Sequence, residues 1–258
     1  MKSMATNFHY HILGRSHVYR ETNYRYTRHS CRVFIQQNKG LELERCRVGF
    51  VQCCGSPTSS LKKEVGLIDR EYLVSEYGWN VRRLAEEKQE IREAANIQAE
   101  AFHTPVALFN DMFFEFFKAE VISGLLYKLR NSPPNRYACL VAEAKQKLVG
   151  IVDVTVMRDE AVLQHLRGAE EYLYVSGIAV LQTFRRQKVA SALLKACDML
   201  SLQLGFDYLV LWAYEDDLGA RKLYSSAGYK VISGDPPWIS TWIGRKRRIL
   251  MIKRSHSS

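Results

Sequence analysis

The feature that most constrains this chain is one continuous stretch in which a strand leads through a short basic loop into an amphipathic helix. The apolar run Tyr172–Val180 has the length and the β-branched and aromatic content of a buried strand. The following helix places Val189, Leu193 and Leu200 on one face, and Gly205 stands where a C-terminal cap is expected. The stretch therefore predicts one buried strand that is followed, after a short loop, by one amphipathic helix.

The basic loop between them has the properties of an anion-binding site. The N-terminus of a helix offers unpaired N–H groups and the positive end of the helix dipole. Arg185, Arg186 and Lys188 add positive charge at the same place. A diphosphate would meet charge and N–H donors together, so the loop predicts a phosphate-bearing ligand.

Hydrophobic periodicity predicts a mixed order of strands and helices on both sides of this stretch. The elements expected before it are a short strand, two helices and a two-stranded hairpin, at 80–85, 86–102, 106–130, 137–142 and 148–157. Residues 158–170 are expected to form a loop or a partial helix. The elements expected after the long helix are a strand, a short helix closed by Gly228 and two strands, at 208–214, 216–227, 229–232 and 248–253.

The second helix carries a wide apolar stripe, which predicts either a core face or the wall of a substrate groove. The stripe consists of Phe109, Phe113, Phe116, Phe117, Val121, Leu125 and Leu129.

The basic loop resembles a motif of the GNAT acetyltransferase superfamily, in which [QR]-x-x-G-x-[GA] opens a helix and cradles the pyrophosphate of acetyl-CoA. The corresponding residues are Arg185-Arg186-Gln187-Lys188-Val189-Ala190, and the first and last fit. Lys188 stands where the family usually has glycine, which lets the backbone approach the phosphates. A lysine there needs a backbone conformation that a side chain tolerates, and its ammonium could instead add to the charge facing the cofactor.

A second stretch resembles the superfamily pattern N-x-x-A-x-x-x-Y-x-x-x-G-[FY], whose tyrosine lies near the cofactor thiol. It runs from Asp217 to Tyr229, with Ala220, Tyr224 and Gly228 in place. Only the first position differs, and aspartate there keeps an oxygen acceptor while losing the amide donor. A loop with two tryptophans before residues 244–253 is, more narrowly, similar to the plant plastid acetyltransferases.

The resemblance implies the GNAT fold, an α/β (α+β) domain over residues 61–258 whose mixed central sheet of about six to seven strands is flanked by about four helices. It also implies direct attack of an amine on acetyl-CoA, a co-substrate, in a ternary complex without a metal. Tyr224 would protonate the leaving thiolate, and a strand N–H would stabilise the oxyanion. The residues implied to bind the cofactor are Ile178, Ala179, Val180, Arg185, Arg186, Gln187, Lys188, Val189, Ala190, Ser191, Asp217, Leu218, Gly219 and Tyr224.

The acceptor is expected to be a protein amine. An α-amine, with a pKa of about 7.7–8.0, needs less help to become neutral than lysine at about 10.4, so N-terminal amines are favoured and lysines come second. Glu170 and Glu171 are candidate general bases or solvated charges at a strand entry. Two alternatives stay open: a small-molecule amine acetyltransferase, and a degenerate, non-catalytic module that binds acyl-CoA or RNA.

Charge and composition separate the N-terminal segment from the rest. Residues 1–40 hold seven Lys/Arg and one acid, which supply +6 of the net charge of +10. An acid-poor, Arg-rich start is typical of an organellar transit peptide, so 1–60 is predicted to be a plastid or, alternatively, mitochondrial leader with its linker, and otherwise a disordered basic arm. The mildly basic remainder argues against a nucleic-acid partner.

Other global features narrow the function further. No apolar run reaches the roughly 20 residues of a membrane span. The six cysteines form no CxxC pair and are expected to be reduced thiols without a metal. The oligomeric state is left open.

Overall fold

The computed structural model describes residues 71–103, 110–238 and 245–255. The strands are β1 (Val74–Glu76), β2 (Trp79–Arg83), β3 (Tyr137–Ala144), β4 (Lys147–Met157), β5 (Tyr172–Val180), β6 (Tyr208–Tyr214), β7 (Lys230–Gly234) and β8 (Arg248–Arg254). The helices are α1 (Lys88–Phe102), α2 (Asn110–Asn131), α3 (Glu160–Leu163), α4 (Val189–Leu204) and α5 (Leu218–Ser226), with a 3₁₀ turn at Gln182–Phe184. The predicted leader, 1–60, and part of the tryptophan loop, 239–244, lie outside the described residues.

All eight strands form one sheet, in the order β1-β2-β3-β4-β5-β6-β8-β7. Neighbours are antiparallel except β5 and β6, which are parallel. This confirms the predicted mixed α/β fold, with slightly more strands than expected. The strand that the sequence pattern missed is β1, which is only three residues long and therefore too short to show alternation. The segment 158–170 contains the single turn α3, as a partial helix was predicted there.

Helices cover both faces of the sheet. On one face α1 and α2 pack over β3 and β4, where Ile91, Val121 and Leu125 meet Val141 and Ile151. On the other face α4 packs over the middle of the sheet, and α5 joins the same apolar cluster through Tyr224. Burial of these faces is the main force that holds the helices to the sheet.

The apolar stripe predicted on α2 is divided between core and surface. Phe117, Val121 and Leu125 are buried, whereas Phe113 and Phe116 are 46% and 73% exposed. The core-face alternative therefore holds for the middle of the helix and not for Phe113 and Phe116, and Phe109 lies outside the described residues. One helix face covers only a narrow arc against the sheet, and the stripe is wider than that arc.

The α4 helix approaches the sheet unusually closely at its first turn. A Cβ on Gly150 of β4 would lie 2.9 Å from Cγ1 of Val189, the first residue of α4, and 3.2 Å from the carbonyl oxygen of Ala179. Only glycine leaves that space. At its other end the helix stops at Gly205, whose φ of 75° supplies the predicted left-handed cap.

A buried ion network fixes β2 in the sheet. Arg82 of β2 is 4% exposed and donates hydrogen bonds to Glu90 of α1 at 2.7 Å and to Glu143 of β3 at 2.7 Å. Because a buried charge is costly unless paired, these contacts hold β2, and with it the β1–β2 hairpin, in one position against the sheet.

Candidate active site

The sheet opens between its two parallel strands. β5 and β6 pair at Leu173 with Leu209 and at Tyr174 with Val210, and no further ladder pair joins them within the described residues. β6 remains paired with β8 along its whole length, from Tyr208 to Tyr214. The second half of β5 therefore presents backbone groups toward a gap in which an extended ligand can pair as an additional strand.

A β-bulge bends β5 at the start of this gap. β5 pairs with β4 at Ser176–Asp153 and again at Ala179–Ile151, so two residues of β5 face one of β4. The bulge residue Gly177 has a φ of +61°, and a Cβ there would lie 3.0 Å from Nε2 of Gln98. Bulges turn backbone groups away from the ladder, so β5 can offer an N–H to a reacting carbonyl here.

The predicted phosphate loop lies at the C-terminal end of the gap. The 3₁₀ turn Gln182–Phe184 leads to α4, whose first backbone hydrogen bond runs from the N–H of Ala192 to the carbonyl of Lys188 at 3.0 Å. The N–H groups of Val189, Ala190 and Ser191 come before that bond and have no acceptor inside the helix. These donors, at the positive end of the dipole, suit an anion.

The backbone of the loop is left-handed at two non-glycine residues. Arg186 has a φ of 64° and Lys188 has a φ of 67°. Lysine thus adopts the conformation that glycine would take more easily in the family motif. The side chain of Lys188 does not lie over the helix start: its Nζ lies 5.9 Å from the ring centre of Tyr77. Arg185 donates from Nε to the carbonyl of Val180 at 3.2 Å, which ties the loop to the end of β5.

The second sequence motif forms α5, beyond the end of β6. Asp217 caps the helix, because its Oδ1 accepts a hydrogen bond from the N–H of Ala220 at 2.9 Å. Aspartate therefore fulfils the capping role that the family's asparagine would have. Leu218 and Gly219 form the first turn, and Leu218 is exposed.

Tyr224 of α5 is 8% exposed and belongs to the apolar cluster beneath α4. Its ring makes an edge contact with that of Tyr229, at 6.1 Å between centres. Burial raises the pKa of the Tyr224 phenol, and the carboxylate of Asp217 acts in the same direction. The side chain thus keeps its proton at neutral pH.

Neither candidate base at the start of β5 is well placed for that role. Arg136 holds Glu171 with two hydrogen bonds, at 2.6 and 3.1 Å, and these lower the pKa of the Glu171 carboxyl. A carboxylate with a lowered pKa is a weaker base. Glu170 is exposed at the surface, before the strand begins.

A polar cluster that the sequence analysis did not single out lies beside the bulge. Asp153 of β4 is 2% exposed and accepts hydrogen bonds from the Tyr137 hydroxyl at 2.6 Å, from Lys128 at 3.2 Å and from Gln98 at 3.3 Å. Gln98 also donates to the carbonyl of Gly177 at 3.4 Å. The signal in the sequence is one acid inside an apolar strand, which predicts a buried partner but does not identify it.

The described residues contain neither a metal-binding group nor a membrane-spanning helix. Among the described residues no three His, Cys, Asp or Glu side chains form a group able to hold a metal ion. Cys139 and Cys197 are free and buried. In the same part of the chain no helix is both long and apolar enough to cross a bilayer.

Comparison with known proteins identifies relatives of the chain. The sequence model of the acetyltransferase (GNAT) family matches residues 91–229. A protein of Arabidopsis thaliana, GCN5-related N-acetyltransferase 10, chloroplastic, is 56% identical over 216 residues, which cover 80% of this chain and 84% of that protein.

Solved structures share the fold at much lower identity. A Desulfovibrio desulfuricans protein assigned to the GNAT family has a TM-score of 0.52 at 12% identity, covering 69% of this chain and 99% of its own. A yellow fever mosquito protein assigned as an arylalkylamine N-acetyltransferase has a TM-score of 0.52 at 13% identity. The match covers 69% of this chain and 87% of the mosquito protein. At such identities the likeness concerns the fold alone.

Proposed function

Because the chain belongs to the GNAT family of N-acetyltransferases, we propose that it transfers the acetyl group of acetyl-CoA to protein amines, N-terminal α-amines first and lysine side chains second. The observation that carries the proposal is the gap between β5 and β6, which leads from the bulge at Gly177 to the N–H groups at the start of α4. An extended arm and a diphosphate both fit the groups that this path offers.

The residues along the path divide the binding of acetyl-CoA between them. The pyrophosphate would be held by the N–H groups and charges of residues 186–191 and by the guanidinium of Arg185. Ile178, Ala179 and Val180 would pair with the pantetheine arm, because their edge of β5 carries no ladder pair with β6. Asp217, Leu218 and Gly219 would border the arm from α5.

The reaction proposed is a direct transfer. The nitrogen lone pair of a neutral amine attacks the thioester carbonyl, so that a C–N bond forms and the C–S bond breaks. An N–H of β5 at the bulge stabilises the oxygen as it gains negative charge. Tyr224 gives its proton to the departing sulfur and regains one from water, while the amine releases its extra proton to solvent.

The preference for α-amines follows from two carboxylates near β5 in the described part of the chain, which are already engaged. Removing the proton of a lysine, whose pKa is about 10.4, costs roughly 3 kcal/mol more than removing that of an α-amine, whose pKa is about 7.7–8.0. Arg136 already holds Glu171, and the Asp153 oxygens already accept hydrogen bonds from Tyr137, Lys128 and Gln98. An enzyme with this arrangement acetylates most readily an amine that is already neutral.

A plastid location is proposed for the same enzyme. The Arabidopsis relative is described as chloroplastic, and the acid-poor segment 1–40 is typical of a leader that targets an organelle. In this proposal residues 1–60 are the leader and linker, and 61–258 are one catalytic domain.

The proposal is tested by giving the purified chain acetyl-CoA with three matched acceptors. These are a peptide with a free α-amine and no lysine, the same peptide blocked at its N-terminus and carrying one lysine, and a polyamine. The α-amine peptide should be acetylated fastest. A reaction confined to the polyamine would show a small-molecule enzyme, and no product with any amine, despite bound acetyl-CoA, would show a non-catalytic module.

A further inference from the structure

The β1–β2 hairpin contacts the phosphate loop directly. The indole N–H of Trp79 donates a hydrogen bond to the carbonyl of Gln187 at 2.8 Å. The Trp79 ring also meets that of Phe184 edge to face, at 5.8 Å between centres. Lys188 extends its ammonium over the ring of Tyr77, at the hairpin turn. Three residues of the loop, Phe184, Gln187 and Lys188, are therefore held by one hairpin.

The hairpin itself is held at both ends. Its turn consists of Tyr77 and Gly78, with φ values of 55° and 81°, the signs that a two-residue hairpin turn requires. Glu76 forms an ion pair with Lys195, on the outer side of α4. Arg82 fixes the other end of β2 through its buried ion pairs. The Trp79 indole is thus presented by a fixed support.

The Trp79 bond determines which way one loop amide points. The described residues contain no cis peptide bond, so the carbonyl of Gln187 and the N–H of Lys188 point in opposite directions across one planar unit. Because the carbonyl faces Trp79, the Lys188 N–H faces away from the hairpin. That N–H immediately precedes those of Val189 and Ala190 at the helix start, so it extends the same group of donors.

The contact also supports an unfavourable backbone conformation. Lys188 is left-handed, which costs free energy for any residue with a side chain and costs glycine almost nothing. A residue in such a conformation persists when its surroundings over-determine it. Here the surroundings are the hydrogen bond to the preceding carbonyl and the cation–π contact with Tyr77.

We propose that Trp79 is a positioning residue for the diphosphate end of acetyl-CoA, and that the β1–β2 hairpin does for this loop what a glycine does in the family motif. The inference rests on the proposed placement of the diphosphate at residues 186–191. In this proposal different elements bind the two parts of acetyl-CoA. The hairpin governs recognition of the nucleotide diphosphate and has no effect on the pantetheine arm, which would lie along β5.

The test is Trp79→Phe, which keeps an aromatic ring beside Phe184 and removes the N–H donor. In the full chain, KM should rise about 5- to 10-fold for acetyl-CoA and remain within twofold for acetyl-pantetheine, which lacks the diphosphate. The kcat and the KM of the amine should not change. An equal rise for both acyl donors, or no rise for either, would overturn the proposal.

Lys188→Gly provides the second arm, because glycine adopts the left-handed conformation without support. In that background Trp79→Phe should raise the KM for acetyl-CoA less than twofold, whereas independent effects would leave the full 5- to 10-fold rise and contradict the coupling.

If Trp79→Phe does not fold, Tyr77→Asn replaces it, since asparagine tolerates the left-handed turn and the ring is 60% exposed. It should weaken the binding of CoA about threefold and leave that of pantetheine unchanged, and an unchanged affinity for CoA would overturn the role of the hairpin. A wild-type chain that binds no CoA at all would refute the proposed function itself, which is a separate outcome.

Discussion

Replacing Tyr224 by phenylalanine removes one hydroxyl group and retains the ring that packs beneath α4. The side chain is 8% exposed, and its ring contact with Tyr229 does not involve the hydroxyl, so the fold should be retained. A thiol with a pKa of about 8.5 is a fair leaving group without help, so donation of a proton should contribute about 10²-fold and no more. We expect kcat to fall by that factor, which corresponds to about 2.7 kcal/mol of transition-state free energy.

The pH dependence follows from the direction of the pKa shift. Burial raises the pKa of Tyr224 above the value of an ordinary tyrosine, about 10, so the folded protein retains this proton where the unfolded chain begins to lose it. The stability that this group contributes is fully present below pH 10 and is lost as the pH rises toward the folded value. The kcat should therefore show no falling limb from Tyr224 between pH 7 and about 10.

Tyr229→Phe is the matched control. Tyr229 is also buried in the same cluster, and its hydroxyl has no hydrogen-bond partner among the described residues. The kcat of this variant should stay within twofold of wild type when both are assayed by release of CoA at saturating substrates. If Tyr224→Phe instead binds acetyl-CoA poorly at unchanged kcat, or if both variants lose activity equally, then Tyr224 is a packing residue and not the acid.

The remaining predictions concern the phosphate loop, the close approach of α4 to Gly150 and the predicted leader. Lys188→Glu should weaken acetyl-CoA binding more than tenfold by calorimetry, because a negative charge beside the start of α4 repels the diphosphate, whereas the uncharged control Lys188→Gln should lose less. An unchanged dissociation constant for Lys188→Glu would remove the loop from diphosphate binding. Gly150→Ala should lower the unfolding free energy by about 1–3 kcal/mol in a denaturant titration, because the new Cβ would lie 2.9 Å from Val189; no loss would mean that α4 shifts freely. A reporter fused to residues 1–60 should enter plastids, and its retention in the cytosol would contradict the leader.

The elements that the sequence predicts well are those with a complete local signal. The strand β5 has the predicted bounds, and the helix α4 ends at Gly205, the predicted C-terminal cap, in the left-handed conformation. The side chain of Asp217 caps α5 by accepting a hydrogen bond from the N–H of Ala220, three residues further along the chain. Each of these depends on residues that are close together in the chain, so a window of sequence contains all the information required.

The parts that could not be predicted depend on packing between distant segments. Trp79 and Gln187 are 108 positions apart, and nothing near either residue indicates their contact. The partners of Asp153 come from α1, α2 and β3, and they are brought together only when the helices cover the sheet. The gap in the sheet likewise arises because β6 pairs with β8 along its whole length but with β5 at only two positions, and this divergence is not visible in the sequence of any single strand.

The proposed ternary complex brings acetyl-CoA and a protein α-amine together at the bulge of β5. It is tested most directly by the affinity of a conjugate in which CoA is joined through a short linker to the α-amine of a peptide, compared with CoA alone and with a conjugate made through a lysine side chain. We expect the α-amine conjugate to bind at least about 10²-fold more tightly than CoA and more tightly than the lysine conjugate, because it would occupy both sites at once. Equal affinity of the α-amine conjugate and CoA alone would contradict it.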